Sequence, residues 1–162
     1  MATLLTASTV ARAEPPSPRP ELASTANLDG LYLALGPLGG ASVTADGWVG
    51  TFGAEVLLVR VRERRPLAAL GLVAGAVRFS ELERGRLWLD LLAGSRWPLG
   101  VAIGVQAGGL LEVDEINRPR AGLQGSLWVY GGIVPYLRVG TVQESGPFFE
   151  LGVGLPLPVL RW

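Results

Sequence analysis

The sequence predicts an all-β chain, a closed antiparallel up-and-down barrel of eight strands. Three observations carry this. Apolar residues alternate with small or polar ones over stretches of ten residues or more. Glycine recurs too often for a helix of useful length. Turn signals cut the chain into short-linked pieces, and short links join antiparallel neighbours rather than parallel crossovers. An open meander would expose two rows of unpaired backbone groups, which closure removes.

Residues 1–27 stand outside this pattern and residues 28–162 form the barrel domain. Leu4 to Val10 is a short apolar run, and Ala11-Arg-Ala13 supplies an A-x-A pattern. The start reads as the back half of a signal peptide cleaved after Ala13, or as a plain tail. Pro15, Pro16, Pro18 and Pro20 then make an extended, Pro-rich disordered linker without a packed core.

Strands are expected near 30–43, 48–61, 67–80, 86–95, 100–113, 121–134, 136–143 and 147–159. In the first, Gly36-Pro37 and Gly39-Gly40 suggest a bulge or bend. Asp46-Gly47 turns it into the second, and Arg62 to Pro66 turn the second into the third. Glu81 to Gly85 lead to the fourth, where Leu87, Leu89, Leu91 and Ala93 oppose Trp88, Asp90, Leu92 and Gly94. Arg96 to Leu99 lead to the fifth, where Val101, Ile103, Val105 and Leu111 oppose Ala102, Gly104, Gln106 and Glu112. Asp114 to Arg120 lead to the sixth, where Leu123, Leu127, Val129 and Ile133 oppose Gln124, Ser126, Trp128 and Tyr130. Pro135 alone separates this from a short seventh strand. Ser145-Gly146 opens the eighth, where Phe149, Leu151, Val153, Leu155 and Leu157 oppose Phe148, Glu150, Gly152 and Gly154.

Composition narrows the function. Of the 162 residues, 49% are hydrophobic and 17% charged, with no net charge. That balance gives no basic field for nucleic acid and little repulsion to keep a soluble protein apart. All basic residues are Arg, a sign of composition bias. Cys and His are both absent, which removes disulfides, thiolate metal sites and Ser-His-Asp or Cys-His catalysis. No transmembrane helix, cofactor or metal site, nucleotide-binding loop or catalytic set is expected.

The question is which face meets water. A soluble barrel would put bulky apolar residues inside and charge outside. Here the less apolar face is mostly Gly and Ala, with single charges at Glu55, Asp90, Glu112, Arg138 and Glu150. A narrow eight-stranded lumen wants such a face. Most other charges fall in the turns, leaving a low-charge band between them. Thirteen residues at about 3.3 Å each, tilted about 45°, rise roughly 30 Å, enough for a hydrocarbon layer. The expected barrel is therefore of transmembrane type. Val101, Ile103, Val105, Leu127, Val129, Leu151 and Val153 would face lipid. Glu55, Asp90, Gln106, Glu112, Gln124, Arg138 and Glu150 would form a polar network in the lumen, with Arg60 and Arg78 as further partners. Trp128 would plug the core. Tyr32, Trp48, Phe79, Trp88, Trp97, Tyr136, Phe148 and Trp162 near strand ends suit interfacial girdles, or simply end strands.

On these features residues 28–162 resemble the small eight-stranded outer-membrane β-barrels of Gram-negative bacteria. The resemblance rests on strand count, strand length, the alternation, and a last strand ending at an aromatic residue, Trp162. It implies an outer-membrane location, surrounding outer-membrane lipid, and recognition of Trp162 as an assembly signal by the barrel-assembly machinery. Pro156 and Pro158 depart from the pattern, and the apolar phase through Leu155, Leu157 and Val159 misses Trp162 unless a bulge restores it. The lipid-deacylating and protease members rely on a His that this chain lacks, so a structural or interaction role is expected rather than an enzyme. The alternative is a secreted or periplasmic, lipocalin-like soluble barrel holding a small apolar ligand.

Overall fold

A computed structural model describes residues 29–45, 47–62, 66–80, 82–96, 102–114 and 118–162. The described residues contain β1 (Gly30–Thr44), β2 (Gly47–Val61), β3 (Ala69–Phe79), β4 (Gly85–Arg96), β5 (Ala102–Val113), β6 (Arg120–Tyr130), β7 (Val134–Val142), β8 (Gly146–Gly154) and β9 (Leu157–Arg161), and no helix. Each strand from β1 to β7 pairs antiparallel with the next. β1 also pairs with β8 and β9, which closes the ring. β8 and β9 are one wall: Leu38 opposite Gly154 and Leu35 opposite Leu157 keep a single register across Leu155 and Pro156. The architecture is thus an eight-walled up-and-down barrel.

The register sets its dimensions. Partners can be followed from Tyr32 through Val59, Gly71, Leu92, Gln106, Ser126, Arg138 and Glu150 back to β1. The path returns at Ser42, ten residues beyond Tyr32. A shear of that size in eight strands means a tilt of about 40° and a backbone radius of about 8 Å. Side chains can fill such an interior without leaving a wide pore.

Three details differ from the sequence reading. The bend expected in β1 is absent, because β1 pairs with β2 without interruption from Gly30 to Thr44. Its glycines instead allow close approach: a Cβ on Gly36 would run into the Leu155 carbonyl, and one on Gly40 into the Leu151 carbonyl. The turn between β6 and β7 is Gly131–Ile133, not Pro135 alone, with Gly132 at φ 99°. Pro135 lies inside β7, past the last β6 rung at Tyr136, so its missing N–H breaks no bond on that side. Thirdly, the irregularity lies in β9. Pro158 opposes Ala34 and Leu160 opposes Leu33, so Val159 is an extra residue. This bulge shifts the outward phase onto Leu160 and Trp162. Trp162 then exchanges backbone hydrogen bonds of 2.9 and 3.0 Å with Leu31.

The two faces sort as the alternation predicts. Val105 and Leu127 are 50% and 55% exposed, while Gln106 and Gln124 on the same two strands are 8% and 6%. Ile103, Val129, Leu151 and Val153 also point outward. Val101 and Trp97 lie outside the described residues, as do the signal-like and Pro-rich segments of residues 1–27.

Inside, apolar side chains form two layers. Leu38, Val77, Trp88, Leu110, Val142 and Phe148 pack in one, and Ala34, Leu57, Val73, Leu92 and Trp128 in the other. Glycines opposite make room for the large rings. A Cβ on Gly75 would strike the Trp88 indole, and one on Gly94 or Gly104 the Trp128 indole. Trp128 is therefore the plug its phase suggested. The girdle assignment fails for Phe79, Trp88 and Phe148, which are buried in the barrel, and for Tyr136, whose hydroxyl reaches inward. Strand ends in a tilted barrel lie at different heights, so nearness to an end in sequence does not place a ring at the rim. Trp48 and Trp162 do sit exposed on the outer wall.

Candidate functional site

The chemistry of the molecule is concentrated in the barrel interior. Period-two alternation sends one side chain in every two inward, so each buried charge comes from a position in phase with glycines and aromatics. Glu55, Asp90, Gln106, Glu112, Gln124, Arg138 and Glu150 all occupy such positions and are buried.

Glu150 on β8 is fully buried and sits between two guanidiniums. Arg86 donates to its Oε2 at 3.1 Å and Arg138 to its Oε1 at 3.3 Å. The Tyr136 hydroxyl donates to the same Oε1 at 2.8 Å. The other fork nitrogen of Arg86 reaches Glu112 Oε2 at 3.1 Å. Ser145 donates to Glu112 Oε1 at 3.1 Å, and Arg84 and Arg120 close on that oxygen at 3.4 and 3.6 Å. Arg120 also pairs with Asp114 at 2.6 Å. Charge thus alternates from mid-barrel to the mouth: Arg138, Glu150, Arg86, Glu112, then Arg84 and Arg120. Aromatic faces complete the cage, with Arg86 lying 3.7 Å from the Phe148 centroid and Arg138 4.3 Å from that of Trp88.

A second, smaller group lies deeper. Gln124 donates to Asp90 Oδ2 at 2.8 Å, and Ser126 to Gln106 Oε1 at 3.3 Å. Glu55 lines the same interior, its Oε1 turned towards Gly154.

The structure corrects the cations. Arg60 and Arg78 were expected to reach the lumen, but both point outward and are exposed. Arg86, which its neighbours place in a charged turn, is the central cation instead. Its signal was available: it is in phase with Trp88 and Asp90 on β4. Tyr136 was likewise missed as a ligand of Glu150, and Arg84 and Arg120 as the outer partners of Glu112.

What can this arrangement do? Each central carboxylate is held by cations on more than one strand, and aromatic rings lie against the guanidiniums of Arg86 and Arg138. That is a cross-brace between β4, β5, β7 and β8 rather than a cleft. The mouth beside the β7–β8 turn holds a small cavity of about 190 Å³, lined by Arg84, Arg86, Arg120, Glu112 and Ser145 among others. The Ser145 hydroxyl there faces Glu112, a carboxylate already engaged by Arg84, Arg86 and Arg120. Among the described residues, no group of three or more acids is placed to hold a metal ion.

No protein-family model matches the chain, and none of the curated proteins matches it either. Among solved structures it is similar to one described as "De novo design of transmembrane beta-barrels". The TM-score is 0.50 at 13% sequence identity, over 76% of this chain and 95% of that one. At that identity the likeness speaks to the fold alone.

Proposed function

We propose that the chain is an integral outer-membrane β-barrel with a side-chain-filled lumen and a structural or interaction role in the cell envelope, and that it is not an enzyme. The observation that carries this reading is the outer wall. Phe52, Leu70, Leu89, Leu91, Leu123 and Leu127 are each more than half exposed, and similar residues surround them on every strand. Soluble monomers rarely expose apolar patches beyond a few hundred Å². A wall of this kind is at home in hydrocarbon, where a closed ring also satisfies the backbone. The surroundings would be outer-membrane lipid. The outward phase of Trp162, restored by the Val159 bulge, suits recognition by the barrel-assembly machinery. A lipocalin-like soluble barrel would need Ile103, Val105 and Leu127 inside and Gln106 and Gln124 outside, the reverse of their placement.

The test is membrane fractionation with a urea wash, then gel mobility with and without boiling. Retention in the outer-membrane fraction with a heat-dependent shift supports the reading, and release as soluble protein defeats it. An arginine at mid-membrane on the outer wall costs about 2–4 kcal/mol. Val105→Arg and Leu127→Arg are therefore expected to lose membrane assembly, and normal assembly of either variant would show that this wall does not meet lipid.

A further inference from the structure

The two ends of the barrel differ in charge. At the end where β1 begins and β9 finishes, the described residues include Arg60, Arg62, Arg96 and Arg161 against one acid, Asp29. At the other end Arg78, Arg84, Arg118 and Arg120 are interleaved with Glu83, Asp114 and Glu144. The basic end also carries a shallow groove of about 650 Å³, bordered by Asp29, Gly30, Leu31, Arg60, Arg62 and Trp162. Arg60 belongs to the outer wall, between Leu31 on β1 and Leu70 on β3. Trp162 is 64% exposed beside it.

We propose that this groove binds the phosphate of an anionic lipid headgroup, and that the basic end faces the leaflet supplying it. The inference rests on the membrane reading above. An arginine on an apolar wall lays its stem along that wall and carries its head to the polar boundary. Its planar fork then meets phosphate oxygens two at a time. Arg60 and Arg62 bring two guanidiniums to the groove against the single acidic side chain of Asp29, so a phosphate there meets side chains of opposite charge. Leu31 and the Trp162 ring provide the half-apolar surface that the glycerol and upper acyl region require.

The test uses the full chain reconstituted in phosphatidylcholine bilayers carrying a small share of spin-labelled phosphatidylglycerol. The readout is the association constant of the immobilised label relative to spin-labelled phosphatidylcholine. Phosphatidylglycerol is expected to be favoured. Arg60→Gln and Arg62→Gln should each lower its advantage about fivefold, in line with the usual worth of one basic residue at an anionic surface. Arg78→Gln, outward at the opposite end, should leave it unchanged. An inserted, heat-modifiable barrel with equal association of both lipids overturns the groove and leaves the membrane reading standing. So does a loss as large in Arg78→Gln as in Arg60→Gln, which would mean a diffuse field. A chain that never inserts overturns both.

Discussion

Glu150 shows how much of this molecule depends on single side chains. Its two oxygens receive Arg86, Arg138 and Tyr136, and water reaches none of its surface. Removing that charge leaves two buried guanidiniums short of a partner, and breaking a buried pair in this way costs about 3–5 kcal/mol. Glu150→Gln is expected to unfold at clearly lower urea, read as loss of the heat-modifiable band. A variant within about 1 kcal/mol of the parent would mean that water already screens the network. Gly75 makes the complementary point about space. It faces Trp88 across the β3–β4 ladder, and any Cβ there would strike the indole. Gly75→Val should destabilise by about 1–3 kcal/mol through overpacking, and Trp88→Leu in the same chain should recover most of the loss. If the double variant is no better than the single one, the indole is not what Gly75 accommodates.

At the level of strands, alternation made most of the fold legible. A period of two settles which of Val105 and Gln106 points inward as soon as one of them is assigned. Seven inward polar positions follow from the same rule. What alternation could not convey was partnership. Arg60 and Arg86 are both strand residues, and each face follows from its own phase, yet Arg86 was obscured by the charged turn beside it. Nor does alternation reveal that Glu150 meets Arg86, because β4 and β8 lie on different sides of the ring and only the shear brings their inward residues to similar heights. Pro156 and Pro158 were the visible irregularity in the last strand, and the register break falls just after them, at Val159. They are tolerated for a directional reason. Leu155 donates to Pro37, so the N positions of residues 156 and 158 point away from β1, and β7 offers no rung beyond Gly154. Neither proline therefore breaks a ladder bond. Because Val159 is surplus to the pairing, deleting it should keep Trp162 opposite Leu31 and change stability by less than about 1 kcal/mol. Deleting Leu151, paired on both sides, should prevent folding, because every later side chain changes face. Equal tolerance of the two deletions, judged by the heat-modifiable band, would disprove the bulge assignment.

For the molecule as a whole, everything hinges on one seam. β1 meets β8 and β9 only because the shear of ten brings the beginning and end of the barrel together. Without that contact the sheet has two free edges, which hydrocarbon does not tolerate. The seam can be probed directly because the chain has no cysteine. Ala41 on β1 lies opposite Leu151 on β8, and both belong to the outer face. Facing residues of such a ladder hold their Cα atoms about 4.5–5.5 Å apart, within the range a disulfide accepts. Ala41→Cys with Leu151→Cys should therefore cross-link nearly completely in the folded barrel and hardly at all in urea. The bond closes a loop of roughly 110 residues, for which chain entropy predicts about 4.7 kcal/mol of added stability before strain is subtracted. The oxidised protein should resist urea beyond the parent and return to the parent's midpoint on reduction. A pair such as Ala41→Cys with Leu127→Cys, placed on distant walls, should remain unlinked. If that control oxidises as readily as the seam pair, or if the seam pair stays reduced in the folded protein, then β1 and β8 do not close the ring, and the cross-braced interior built around Glu150 fails with them.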